Sequence, residues 1–256
     1  MNTYERILEN LEWLNLGRIS MILDNYLERV SKENISLIEA LDYLLCEERI
    51  HKEETELAGR INVANFPFRK TFEDFDFNYQ PSIDMKVINE LRTMRFLHNK
   101  ENIILLGPPG VGKTHLAVAL GMEAVKNKFT VYYANCHDII NKLNKAFFEN
   151  KLQVQMTTLC RYDLLIVDEV GYLPFDKQGA NFFFQLISRK YEKNSVIITS
   201  NRSFREWGEI FTDNVIAGAI LDRLLHHCTV INIKGDSYRL KDRKHQSTVY
   251  IEENLH

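Results

Sequence analysis

The 256-residue chain is expected to fold as an α/β protein with a five-stranded parallel sheet flanked by helices, preceded by a small all-α N-terminal segment. Three observations predict this. Five short apolar runs, "NIILL" (102–106), "TVYYA" (130–134), "LLIVD" (164–168), "SVIIT" (195–199) and "TVINI" (229–233), alternate with longer helix-like stretches. Each run is apolar almost throughout instead of alternating, which is how a strand reads when both faces of a parallel sheet are covered. Between the first run and the helix after it stands a turn rich in glycine and proline, "GPPGVG".

The elements follow in order. In "SLIEALDYLL", Leu37, Ala40, Leu41, Leu44 and Leu45 recur at helical spacing, and Ser36 with Glu39 forms a capping-box pattern. Residues 1–65 therefore read as a small helical bundle, and they hold 7 Lys/Arg against 13 Asp/Glu, a balance of −6 within a chain of net charge −3. An acidic helical module suits a packing appendage and a protein-docking surface equally. "NFPFRKTFEDFDFNYQP", bounded by Pro67 and Pro81 and crowded with aromatics, reads as a structured connector. "SIDMKVINELRTMRFL" then predicts one amphipathic helix leading into the first strand. The expected organisation is a helical domain over 1–65, a connector over 66–81 and an α/β domain over 82–256.

Composition excludes several classes. No apolar run reaches the length of a membrane span, and "MNTYERILEN" lacks the basic and apolar parts of a signal peptide, so a cytoplasmic protein without a membrane partner is expected. Cys46, Cys136, Cys160 and Cys228 are scattered and form no C-x-x-C, which suggests ordinary reduced thiols.

The chemistry begins at Gly107, Pro108, Pro109, Gly110, Val111, Gly112, Lys113 and Thr114, which fit G-x-x-x-x-G-K-[ST] between a strand and a helix. Glycines let successive backbone N–H groups point at a polyphosphate, and the N-terminus of the following helix adds its dipole. Lys113 should reach the β- and γ-phosphates and the Thr114 hydroxyl should ligate Mg²⁺. "YDLLIVDEVGYLPF" ends a buried strand in two acids: Asp168 would hold the same Mg²⁺, and Glu169 could polarise a water towards the γ-phosphate. The end of the fourth run carries Thr199, Ser200 and Asn201, of which Asn201 could orient that water or touch the γ-phosphate. The turn should thus hold a nucleoside triphosphate and the acids should hydrolyse it.

"GPPGVGKTHLAVALG", "YDLLIVDEVGYLPFDKQGANFFFQLISRKYEKNSVIITSN" and "AILDRLLHHCTVINIKGDSYRLK" together resemble the IstB-like ATPases, helpers of insertion-sequence transposition and relatives of the DnaC helicase loaders in the AAA+ superfamily. The resemblance covers nearly the whole chain. It implies a P-loop AAA+ core, ATP and Mg²⁺, a homo-oligomer assembled with ATP around double-stranded DNA, and the transposase of the same element as partner. It also implies that Arg223 acts as an arginine finger on the neighbouring subunit's site, where its alternative is an ion pair with Asp222 or Asp213. Arg239 matches an arginine that senses nucleotide within its own subunit, although only 17 residues follow it, too few for a separate helical lid. Residues 71–76 should lie near the adenine. Lys142, Lys145 and Lys151, with Arg161, fall where initiator-type relatives use an extra helix to touch DNA. Dispersed lysines without a groove-reading motif suggest backbone contacts of little sequence preference.

The nearest alternative, a helicase loader, shares every nucleotide residue and differs in partner. A small-molecule kinase fits the adjacent acids and Arg223 less well, a GTPase lacks an N-K-x-D string, and a nucleotide-independent adaptor would leave the intact turn without use.

Overall fold

The computed structural model describes residues 2–240. The chain divides into two compact units, Met1–Gly59 and Arg60–His256.

The first unit is helical. α1 (Thr3–Trp13) starts in a capping box between Asn2 and Glu5, α2 (Gly17–Glu33) follows, and α3 (Leu37–Val63) begins with the Ser36–Glu39 box expected from the sequence. α2 meets α3 through stacked Tyr26 and Tyr43 rings 4.5 Å apart, an Arg18–Glu47 ion pair at 2.8 Å and the buried Glu48 carboxylate, which accepts the Ile19 N–H at 2.9 Å. The stripe Leu37, Leu41 and Leu45 is exposed instead of covered. The reason is rotational: Tyr43 lies two residues beyond Leu41, roughly 200° round a helix of 3.6 residues per turn, so α2 occupies the other face.

In the second unit the single helix expected over 82–97 is two, α4 (Met85–Arg92) and α5 (Arg95–His98). The break is at Met94, whose φ of 59° is left-handed and whose side chain is buried; core packing here overrides helical propensity. Next come β1 (Asn102–Leu106), α6 (Lys113–Lys126), β2 (Val131–Asn135), α7 (Cys136–Phe148), α8 (Leu152–Cys160) and β3 (Leu164–Val170). The chain continues through α9 (Lys177–Lys190), β4 (Ser195–Ser200), α10 (Trp207–Ile210), α11 (Asn214–Leu225) and β5 (Cys228–Asn232).

All five strands are parallel, in the order β2-β3-β4-β1-β5. Ile103 to Leu105, Leu164 to Val167 and Val196 to Ile198 are buried along their whole length, as continuous apolar runs require. α6 carries nine buried residues on all sides, which places the helix behind the glycine turn in the core and makes that turn a fixed platform. Because β1 and β3 are separated by β4, the turn after β1 and the acids after β3 face each other across one intervening strand. Ligands of open α/β sheets bind at such carboxyl ends.

Candidate nucleotide site

The turn after β1 is built from left-handed backbone. Gly112, at φ 99°, caps α6, and a Cβ there would stand 2.4 Å from the Phe75 ring, so only glycine fits both the conformation and the space. Lys113 folds its ammonium over the loop, donating to the carbonyls of Gly107 (2.7 Å) and Pro108 (2.8 Å). Burial holds the Lys113 ammonium below its ordinary pKa, with the Asp168 and Glu169 carboxylates opposing that shift and Arg239 adding to it. An anionic polyphosphate in the loop would oppose that shift and favour the charged form.

Asp168 is 3% exposed and is held by three hydroxyls. Thr114 Oγ1 donates at 3.0 Å, the Tyr133 phenol at 2.6 Å, and Thr199 Oγ1 donates to the other carboxylate oxygen. Burial and the adjacent carboxylate push the Tyr133 phenol well above its usual range, so it stays a donor. A carboxylate and a hydroxyl converging from two elements form an all-oxygen donor set suited to Mg²⁺. When bound, the ion would neutralise charge on the β- and γ-phosphates.

Glu169 departs from strand geometry. The register between β3 and β4 slips between Val167 and Val170, and Glu169 itself has φ 60°. This bulge re-aims a side chain at the end of a strand. It leaves Asp168 buried and Glu169 exposed in the same cleft. Thr199 Oγ1 accepts the Glu169 N–H at 2.9 Å, and Asn135 Nδ2 donates to its carboxylate at 2.6 Å. The sequence reading missed Tyr133 and Asn135 as site residues and placed Thr199 at the strand end without giving it the role it has. Tyr133 and Asn135 are two apart on the strand that pairs with β3, where Asn135 lies opposite Asp168, a signal visible only once that pairing is known.

A cleft of about 860 Å³ joins these groups, lined by Gly110, Lys113, Asp168, Glu169, Asn201 and Arg239 among others. The connector forms its wall. His115 Nε2 bonds the Thr71 carbonyl at 2.8 Å, and Phe75 packs edge-on against the His115 ring at 5.1 Å. The segment carrying Arg239 is fastened at both sides: Tyr238 N–H donates to the Gly110 carbonyl (2.9 Å), and Gln80 Nε2 to the Asp236 carbonyl (3.0 Å).

Arg223 is elsewhere. On α11, its guanidinium donates to the Ala219 carbonyl at 2.9 Å and lies 4.9 Å over the Phe184 ring, outside the residues that line the cleft. Asp213 instead caps α11, accepting the N–H groups of Val215 and Ile216, and among the described residues no carboxylate pairs with Arg223. The lysines are exposed on α7 and at the start of α8, two helices where a βαβ crossover needs one. Lys142 donates to the Tyr132 hydroxyl at 2.6 Å, while Lys145 (4.0 Å) and Lys151 (3.3 Å) share Glu149. Arg161 ends α8.

The fold and this cleft define a P-loop ATPase with an AAA+ core. The sequence profile of the IstB-like ATP binding proteins matches residues 9–246, and the chain belongs to that family. It is 46% identical to a proposed ATP-binding protein of insertion sequence IS21 from Pseudomonas aeruginosa, over 91% of this chain and 88% of the relative. A proposed ATP-binding protein of insertion sequence IS5376 from Geobacillus stearothermophilus is 44% identical over 94% and 96%. The fold is shared with AMPPCP-bound DnaA from Aquifex aeolicus, at a TM-score of 0.56 and 22% identity, covering 71% of this chain and 55% of that one. Among the described residues no helix is long and apolar enough to cross a membrane.

Proposed function

We propose that this protein is the ATP-hydrolysing assembly factor of an insertion sequence, which binds double-stranded DNA with little sequence preference and presents it to the transposase of the same element. Membership of a family whose relatives are named for insertion sequences, along nearly the full chain, supports the biological setting. The observation that carries the mechanism is the separation of Arg223 from the cleft: loop, acids and Asn201 are gathered in one subunit, but this arginine is not among them.

In this reading Lys113 and the loop amides hold ATP, Thr114 and Asp168 hold Mg²⁺, and Glu169 takes the proton of the attacking water, which Asn201 orients. Arg223 enters the neighbouring subunit's cleft, where its fixed fork neutralises charge on the transferred phosphoryl group. Arg239 reports nucleotide within its own subunit. Hydrolysis then depends on assembly, and assembly on DNA forms the multivalent phosphate contact to which Lys142, Lys145 and Lys151 contribute.

Mixing two inactive variants tests the reading. Arg223→Ala keeps a sound Glu169 but offers its neighbour no finger; Glu169→Gln offers a finger but lacks the base. With DNA present and co-assembly verified by a fluorescent label on each variant, phosphate release should reappear and peak at intermediate ratios. A co-assembled mixture inactive at every ratio overturns the trans role of Arg223. ATP-independent DNA binding overturns the link between nucleotide and assembly.

A further inference from the structure

α9 and α11 end together at the amino-terminal edge of the sheet, the end opposite the nucleotide cleft. Glu192 follows α9, and His226 and His227 follow α11. One ligand-capable atom from each of these three side chains lies within 4.8 Å of the other two. The two imidazole rings are 4.1 Å apart, Glu192 Oε1 is 3.7 Å from His226 Nδ1, and the Tyr191 hydroxyl is 2.9 Å from that same nitrogen. All three are exposed, so no core packing accounts for their convergence.

The backbone beneath them is fixed. Glu192 sits at φ 56° in a turn closed by the N–H groups of Lys193 and Asn194 on the Lys190 carbonyl, at 2.9 and 3.1 Å. The His227 carbonyl is held at 2.8 Å by the Asn102 N–H, the first residue of β1. Two helix C-termini converge here, and their carbonyl dipoles favour a positive charge. Two imidazoles and one carboxylate are the donors of a borderline divalent ion, not of Mg²⁺, and three protein ligands leave a fourth position for water.

We propose that Glu192, His226 and His227 form a binding site for one divalent transition-metal ion of the zinc class, separate from the nucleotide-bound Mg²⁺. Tetrahedral ligands about 2.0–2.1 Å from zinc are roughly 3.3 Å apart, a closure that rotation of exposed side chains supplies. The Tyr191 hydroxyl, on His226 Nδ1, orients that ring and leaves Nε2 for the ion, as partners of metal-bound imidazoles do. The ion joins the ends of α9, which carries Phe184, and α11, which carries Arg223, and so braces the pair that positions that guanidinium. The site stands on its own geometry and does not depend on the transposition role.

The test uses the full chain without a polyhistidine tag, in millimolar Mg²⁺ and no nucleotide, titrated with Zn²⁺ against a chromophoric chelator. One equivalent per chain should bind in the wild type, and binding should weaken at least ~10-fold in His226→Ala, His227→Ala and Glu192→Gln. At a hundredfold excess of Zn²⁺ over its dissociation constant, the thermal midpoint should rise by roughly 5 °C in the wild type and not in the His226→Ala/His227→Ala double variant. Cys228→Ser should bind as the wild type does, because its thiol is outside the cluster. The proposal is overturned if the double variant binds Zn²⁺ like the wild type, or if Cys228→Ser removes binding that Glu192→Gln leaves intact.

Discussion

The nucleotide cleft and the α9–α11 face are both charged surfaces, built on opposite principles. In the cleft, polar groups answer one another: Asp168 takes three hydroxyls, Glu169 takes Asn135 and Thr199, and Lys113 takes two carbonyls. On the α9–α11 face, Arg223 has a carbonyl and an aromatic ring but no carboxylate among the described residues, and Glu192, His226 and His227 stand in solvent. Asp168 is buried, and its hydrogen bonds are met within one chain because an unmet charge there would cost free energy in a low dielectric. The groups of the α9–α11 face are less buried, Arg223 partly covered and Glu192, His226 and His227 exposed, so they bear less of that cost. On the proposed reading, chemistry within a subunit belongs to the cleft and chemistry between subunits to the α9–α11 face.

Removing the Arg223 side chain tests that contrast with the largest expected effect. Arg223→Ala should retain ATP affinity but lose about 10³-fold or more in turnover, the scale of an arginine finger. Equilibrium binding of a fluorescent ATP analogue alongside phosphate release separates the two; a fall in affinity with unchanged turnover would place Arg223 in the binding of its own nucleotide. Inside the cleft, Lys113→Ala should abolish tight nucleotide binding, and Glu169→Gln should bind ATP yet turn over at least ~10²-fold more slowly. Equal ATP affinity in wild type and Lys113→Ala would break the cleft side of the comparison.

Lys190 sharpens it in a different way, because at the end of α9 a charge is buried after all. Its ammonium donates to the Tyr162 carbonyl at 2.8 Å, and burial lowers its pKa to about 8. Below about pH 8 it is charged in the folded and unfolded chain alike, and the burial penalty stands in full. Between about 8 and the ordinary 10.5 the unfolded chain keeps a proton that the folded chain has lost, so this lysine's contribution to stability rises with pH. The stability of Lys190→Met relative to wild type, measured by denaturant titration, should therefore fall by about 3 kcal/mol across that window. A pH-independent difference would show that the lysine keeps its proton when buried.

The smallest effect is expected on α7. Replacing Lys142 and Lys145 together with Ala should lessen the salt dependence of DNA affinity by up to about two phosphate contacts, leaving ATP binding unchanged. An unchanged slope moves the DNA surface elsewhere.

The local chemistry of the site was legible because it is written in consecutive residues. Five apolar runs, one glycine turn and a pair of acids are short-range patterns, and the sheet, the loop and the placement of Asp168 followed from them. The Ser36–Glu39 box was equally local. What the sequence left open depends on neighbours distant in the chain. Tyr133 and Thr199 hold Asp168 from strands on either side of β3, and no spacing announces which strands those are. Glu169 reads as the second acid at the strand end, but the β3–β4 register slip that turns it outward is not visible in the sequence. Met94 breaks a helix that periodicity runs straight through, because the core claims its side chain. Leu37, Leu41 and Leu45 have the spacing of a buried stripe, but which face of α3 is covered was decided by α2. The sequence by itself determined the strands, the glycine turn and the chemistry each end could offer, since these rest on local backbone preference and residue type. Only tertiary structure decided which offers meet, since that depends on strand order and on which side chains compete for the same buried space.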